Sequence, residues 1–124
     1  MKYDCTWEDY LKLARELLVN TNSTLESAYC RCIVSRAYYS AYNKALVYVS
    51  NNGFRRNPQY IGGTHQEIID FLTTLNKGFS SKYLGQLKEY RTQSDYIPEA
   101  SIGMEEAKNS IQLAEIASSF LNSK

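Results

Sequence analysis

One histidine, two prolines and three cysteines in 124 residues leave little room for several kinds of chemistry. A single histidine with no clustered Asp/Glu–His spacing makes a metal-ligand set hard to assemble, so no metal is expected. No Gly-rich phosphate loop of the P-loop type occurs, and no Ser–His–Asp or Cys–His arrangement shows a nucleophile elbow or related motif, so no cofactor is implied. Cys5, Cys30 and Cys32 form neither a disulfide framework nor a Cys-x-x-Cys pair, and they read as reduced thiols. Cys30 and Cys32, two apart, should point to different faces of a helix. No apolar run approaches membrane-spanning length, and Met1–Glu8 lack the apolar core of a signal peptide. The expectation is a soluble, cytoplasmic chain with no membrane partner. The formal net charge is only +1, with no long basic or acidic run, so any nucleic-acid contact must come from a local patch.

What is present is a helical grammar. Hydrophobic residues make up 44% of the chain, enough for one packed core in a single domain spanning residues 1–124. Eleven tyrosines each bury a ring while keeping a hydroxyl that needs a partner, which places many at a core rim or interface. From Thr6 to about Val19, Trp7, Tyr10, Leu11, Ala14, Leu17 and Leu18 follow the helical period, with Thr6 as N-cap and Glu8 and Asp9 in the first turn. The longest helical run extends from Ser23 to Asn52. Its expected start is a capping box, Ser23 to Glu26, and Gly53 follows its end. Cys30, Val34, Ala37, Tyr38, Ala41, Ala45, Tyr48 and Val49 make one stripe, while Cys32, Arg36, Tyr39 and Asn43 make a polar seam. A helix with two such seams packs on more than one side and should be the central column of a bundle.

Gly53 to Gly63 is irregular. It is either a surface loop with two solvated arginines, Arg55 and Arg56, or a mobile basic-aromatic element beside a site. Thr64-His-Gln-Glu67 has the form of a second capping box, opening a short helix with Ile68, Ile69, Phe71, Leu72 and Leu75 inward. His65 at the first helical position should be neutral, because the helix N-terminus disfavours imidazolium. It reads either as a histidine hydrogen-bonding its surroundings or as an acid/base group. A fourth helix is expected from about Ser80 to Asp95, stopped by Pro98, with Lys88, Arg91 and Asp95 on one strip. Arg91 and Asp95, four apart, are either a surface ion pair or part of an anion site. A fifth helix runs from Glu105 to Asn122. No repeat, low-complexity tract or strand series is present.

Three segments, Ser35-Arg-Ala-Tyr-Tyr-Ser-Ala-Tyr42, Thr64-His-Gln-Glu67 and Leu87-Lys-Glu-Tyr-Arg-Thr-Gln-Ser-Asp-Tyr96, resemble in order and spacing the small stand-alone proteins of the HEPN superfamily. The resemblance covers residues 6–121. It implies an all-α, up-and-down bundle of four to five helices, and a homodimer with a cleft at its interface. Many such proteins are metal-independent endoribonucleases of toxin–antitoxin or anti-phage defence systems. Others partner a minimal nucleotidyltransferase, or bind nucleotides or RNA without catalysis. The nuclease members carry Arg-x4–6-His. Arg91 matches the arginine, but Tyr96 stands at the histidine's place, and tyrosine is a poor base at neutral pH because a phenol ionises near ~10.

On this resemblance Arg91 would hold a phosphate, with His65 as acid or base and Tyr96 beside it. Arg36, Tyr39, Asp95, Arg55 and Arg56 would line the RNA or nucleotide site. The implied partners are RNA or a nucleotide, a second copy of the chain, and an antitoxin or nucleotidyltransferase protein. A non-catalytic regulatory partner is the competing expectation, and a purely structural assembly subunit is a third.

Overall fold

The computed structural model describes residues 6–121; Cys5 and Asn122, the expected last residue of the fifth helix, lie outside the described residues. Five α-helices occur there, with no strand: α1 (Trp7–Val19), α2 (Glu26–Ser50), α3 (Gly63–Thr74), α4 (Gly78–Tyr96) and α5 (Met104–Ser119). The chain is thus an all-α helical bundle.

Helix directions follow from which ends meet. Glu8 near the start of α1 pairs with Lys44 near the end of α2 at 3.0 Å, so α1 and α2 are antiparallel. Arg31 near the start of α2 bonds carbonyls at the end of α4. The buried hydroxyl of Ser80, early in α4, donates to Ala117 O late in α5 at 2.8 Å. Helices α1, α2, α4 and α5 therefore alternate up and down, and the shorter α3 runs against α4, with Lys88 donating to Gln66 at 3.0 Å.

Helix α2 touches all four others. Of its expected stripe, Cys30, Val34, Ala37, Tyr38, Ala41, Ala45 and Val49 are buried, and Ile33, Ser40 and Tyr42 join them. Tyr48 is only half-buried, with the Lys77 ammonium over its ring at 5.4 Å. Cys30 is buried and Cys32 exposed, as their spacing requires. The alanines let neighbouring helices approach closely enough for Ile33, Ile68, Leu72, Leu84 and Leu87 to interlock.

Two helix starts differ from expectation. Thr6 does cap α1, accepting from Asp9 N–H while Asp9 accepts from Thr6 N–H. The Ser23–Glu26 box does not form. Asn22 instead caps a short 3-10 turn, Ser23–Leu25, by accepting from Thr24 N–H, and α2 begins without a side-chain cap. The Thr64–Glu67 box does not form either, because α3 begins two residues earlier than expected, at Gly63 behind Gly62 at φ +98°. A Cβ there would also lie 2.9 Å from the Gln66 side chain. Glu67 turns away from the helix start: both of its carboxylate oxygens accept from Asn57 N–H, at 3.1 and 3.0 Å. That bond docks the Gly53–Gly62 connector onto α3, with Phe54 buried edge-on against Phe71 and Tyr60 O–H donating to Asp70. Of the two readings of this stretch, the structure fits the surface loop: it is docked on α3 and leaves Arg55 and Arg56 exposed.

Candidate functional site

The conformation of α4 is fixed at its C-terminus by a residue the sequence does not advertise. Pro98 has no N–H to give the carbonyl of Ser94, which lies four residues back. Arg31 of α2 supplies the missing donor at 2.8 Å. Its guanidinium also donates to Gln93 O, Ile97 O, Pro98 O and Ala100 O, at 2.6–3.2 Å. A cation at a helix C-terminus is favourable in addition to these hydrogen bonds. Arg31 therefore holds the last turn of α4 and the turn after it against α2.

That turn carries the Arg91 cluster. Arg91 Nε donates to Asp95 at 3.0 Å, and its Nη2 donates to Tyr39 Oη at 2.8 Å and to Tyr96 Oη at 3.0 Å. The guanidinium carbon lies 5.0 Å from the Tyr96 ring centre, 5.4 Å from that of Tyr39 and 5.8 Å from that of Tyr38. Cations at this range are attracted to ring faces. Burial alone would lower the pKa of Arg91, but Tyr39, Tyr96 and Asp95 together outweigh it and raise the value. The charge is permanent and its orientation is set by three contacts.

His65 lies on the other side of Tyr38. Its ring stacks on Tyr42 at 4.1 Å and on Tyr38 at 5.6 Å, and meets Tyr39 edge-on. Its Nδ1 is 2.5 Å from Tyr38 Oη. Burial lowers the His65 pKa, and the charges of Arg91 and Lys88 lower it further. The histidine is neutral near pH 7, as its place early in α3 led us to expect, but for a different reason. It is the third residue of the helix, and burial beside two cations sets its charge state. The Tyr38 phenol is pushed far above its ordinary range, chiefly by burial, so it keeps its proton. Having no other acceptor among the described residues, it donates to Nδ1. A neutral imidazole then carries its own proton on Nε2.

Two more residues complete the surroundings. Tyr42 is raised by burial and by Tyr39, and lowered in part by Arg56, whose charge reaches it from the docked connector. Lys88 stands one turn before Arg91 and is tied to Gln66. Four segments thus converge: α2 with Tyr38, Tyr39 and Tyr42, the connector with Arg56, α3 with His65, and α4 with Lys88, Arg91, Asp95 and Tyr96. Arg36 takes no part, lining instead an apolar groove with Leu13, Leu17, Leu25 and Tyr29. Arg55 is exposed and donates to Phe54 O at 3.3 Å. Tyr38 was legible only as a core position and Tyr42 only as the end of the Ser35–Tyr42 motif; Lys88 was legible as a neighbour of Arg91 on one strip of α4.

Chemically, the arrangement is a cationic patch with aromatic walls, of a kind suited to an anion. Arg56, Lys88 and Arg91 outnumber Asp95, and Tyr96, 65% exposed, offers a ring face to a ligand. With Nδ1 taken by Tyr38, resting His65 offers a donor and no free base. No group of three or more His, Cys, Asp or Glu residues among the described residues is placed to hold a metal ion, and no helix there is long and apolar enough to cross a membrane. No family model, curated protein or solved structure matches this chain.

Proposed function

We propose that this chain is a HEPN-like domain that binds RNA through the Arg91 cluster, as one member of a toxin–antitoxin or anti-phage defence pair. The observation that carries the reading is the guanidinium of Arg91, held by Asp95, Tyr39 and Tyr96 with Tyr96 exposed beside it. An oriented arginine suits a phosphodiester, and an exposed aromatic face suits an unstacked base, so single-stranded RNA fits better than a duplex. The cluster forms an open face, and a second protomer would supply the opposite wall of a cleft. Cleavage is not the favoured chemistry. Strand scission needs a base for the 2′-hydroxyl, and the one nearby imidazole has its acceptor nitrogen occupied.

A fluorescence-anisotropy titration with a labelled single-stranded oligoribonucleotide tests this, with EDTA present and the RNA afterwards run on a gel. Wild type should bind in a salt-dependent manner and leave the RNA intact. Arg91→Gln should weaken binding about tenfold or more, the value of one charge-assisted contact of roughly 1.5–3 kcal/mol. Equal affinity in the two proteins would refute the site.

The exposure of Tyr96 favours one further reading, a non-catalytic partner of a nucleotidyltransferase. There the Tyr96 oxygen would attack the α-phosphorus of a nucleoside triphosphate, releasing diphosphate and the phenol proton. Intact-mass analysis after co-expression with a neighbouring nucleotidyltransferase would reveal the added nucleotidyl group. An unmodified wild-type chain would count against this reading.

A further inference from the structure

The Arg91 cluster contains the chain's one histidine, whose ring stacks on the same Tyr38 that Arg91 approaches at 5.8 Å and whose neighbour Gln66 holds Lys88. We propose that seating an RNA phosphodiester at the cluster is coupled to uptake of a proton by His65, so that the site binds RNA more tightly as the pH falls. This rests on the reading of the cluster as an RNA-backbone site.

The groups facing His65 from each direction define the coupling. From α2 come the uncharged phenols of Tyr38, Tyr39 and Tyr42, stacked on or edge-on to the ring. From α4 come Lys88 and Arg91, whose charges both oppose an imidazolium. Asp95 on the same helix is engaged by Arg91 Nε. From the connector, Arg56 adds positive charge at Tyr42. On α3 itself, the Glu67 carboxylate is buried and committed to Asn57 N–H. In the free protein, then, cations and burial keep His65 neutral.

A phosphodiester lodged against Arg91 and Lys88 brings a negative charge into that space and offsets their repulsion. The imidazolium becomes more favourable by the same factor that protonation adds to RNA affinity, because the two bindings are thermodynamically reciprocal. The proton comes from solvent and adds to Nδ1. The Tyr38–His65 hydrogen bond then reverses, with Nδ1–H donating to the phenol oxygen. The phenol proton loses its acceptor, a cost the phosphodiester charge must also offset, and the protein gains one positive charge. Protonated His65 carries an N–H on both ring nitrogens. His65 thereby adjusts the charge of the site to its occupant, and acidification strengthens the grip on RNA.

Because only one histidine is present, its ring resonance can be followed in the unmodified protein. The His65 Cε1–H signal should be titrated from pH 5 to 8 alone and with saturating hexauridylate bearing no terminal phosphate, a probe whose own groups do not titrate in this range. The free protein should show a midpoint below the ordinary histidine value, and the complex a midpoint higher by about one unit or more. In parallel, hexauridylate affinity should fall about two- to threefold between pH 6 and 7 for a one-unit shift, and more for a larger one. A midpoint that stays put or moves down in a saturated complex would overturn the coupling while leaving the RNA site standing. Absence of any saturable binding of hexauridylate would overturn both.

Discussion

Replacing Arg31 by alanine should destabilise the protein more than any other single change at a partly exposed side chain. Its guanidinium serves five carbonyls, but these are not equivalent. Gln93 O also accepts from Ile97 N–H, and Ile97 O from Ala100 N–H, so each keeps a partner in the variant. Pro98 O is exposed and water can replace the arginine there. Ser94 O and Ala100 O are part-buried and lose the only donor they have among the described residues. Each carbonyl left without its donor at a part-buried site, where water can partly reach it, costs about 1–1.5 kcal/mol, and loss of the cation at the end of α4 adds about 0.5–1 kcal/mol. The expected total is roughly 2.5–4 kcal/mol. For a domain of this size that lowers Tm by roughly 8–15 °C. Arg31→Lys retains the charge and a compact set of donors and should lose about half as much. Thermal unfolding followed by circular dichroism gives the shift, and hydrogen exchange should show faster opening of Gln93–Tyr96 than of α5. A variant within about 2 °C of wild type, with unchanged exchange in that turn, would refute the reasoning.

Three smaller predictions accompany it. Asp95→Asn keeps an oxygen acceptor for Arg91 Nε but removes the negative charge, and should tighten RNA binding severalfold in the anisotropy titration; unchanged or weaker binding would refute this. Glu67→Ala should cost about 1–2 kcal/mol in a urea titration and speed amide exchange at Asn57, whose N–H it leaves without an acceptor. The third concerns pH. Folding lowers the proton affinity of His65, so below the unfolded value of about 6.5 the unfolded chain binds the extra proton, and stability drops as pH falls. Urea midpoints at pH 5.5 and 7.5 should differ in this sense for wild type, and the difference should shrink in His65→Gln.

Local rules carried the sequence reading wherever the partner of a residue was itself local. The α1 cap formed because Thr6 and Asp9 satisfy each other within one turn, and the central place of α2 followed from its apolar period. The same kind of rule failed at Thr64–Glu67. A glutamate three residues after a threonine is a capping signal only when the carboxylate has nothing better to bind. Here the N–H of Asn57, ten residues upstream, captured it. Arg31 illustrates the limit more sharply. Pro98 announces an orphan carbonyl at Ser94, but which cation answers depends on the antiparallel packing of α2 against α4 across 63 residues of sequence. Arg91, Asp95 and Tyr96 were readable as neighbours on one helix end. The contact of Tyr38 with His65 was not, because a tyrosine in an apolar stripe gives no indication of where its hydroxyl points.

The most direct test of an RNA site at Arg91 is a nuclear magnetic resonance titration of the arginine Nε–Hε region with hexauridylate. The Arg91 signal, assigned by its loss in Arg91→Lys, should shift saturably along with the ring resonances of Tyr96 and His65, while the Arg36 signal stays in place. Saturable shifts confined to other residues, with Arg91 and Tyr96 unmoved, would contradict the account.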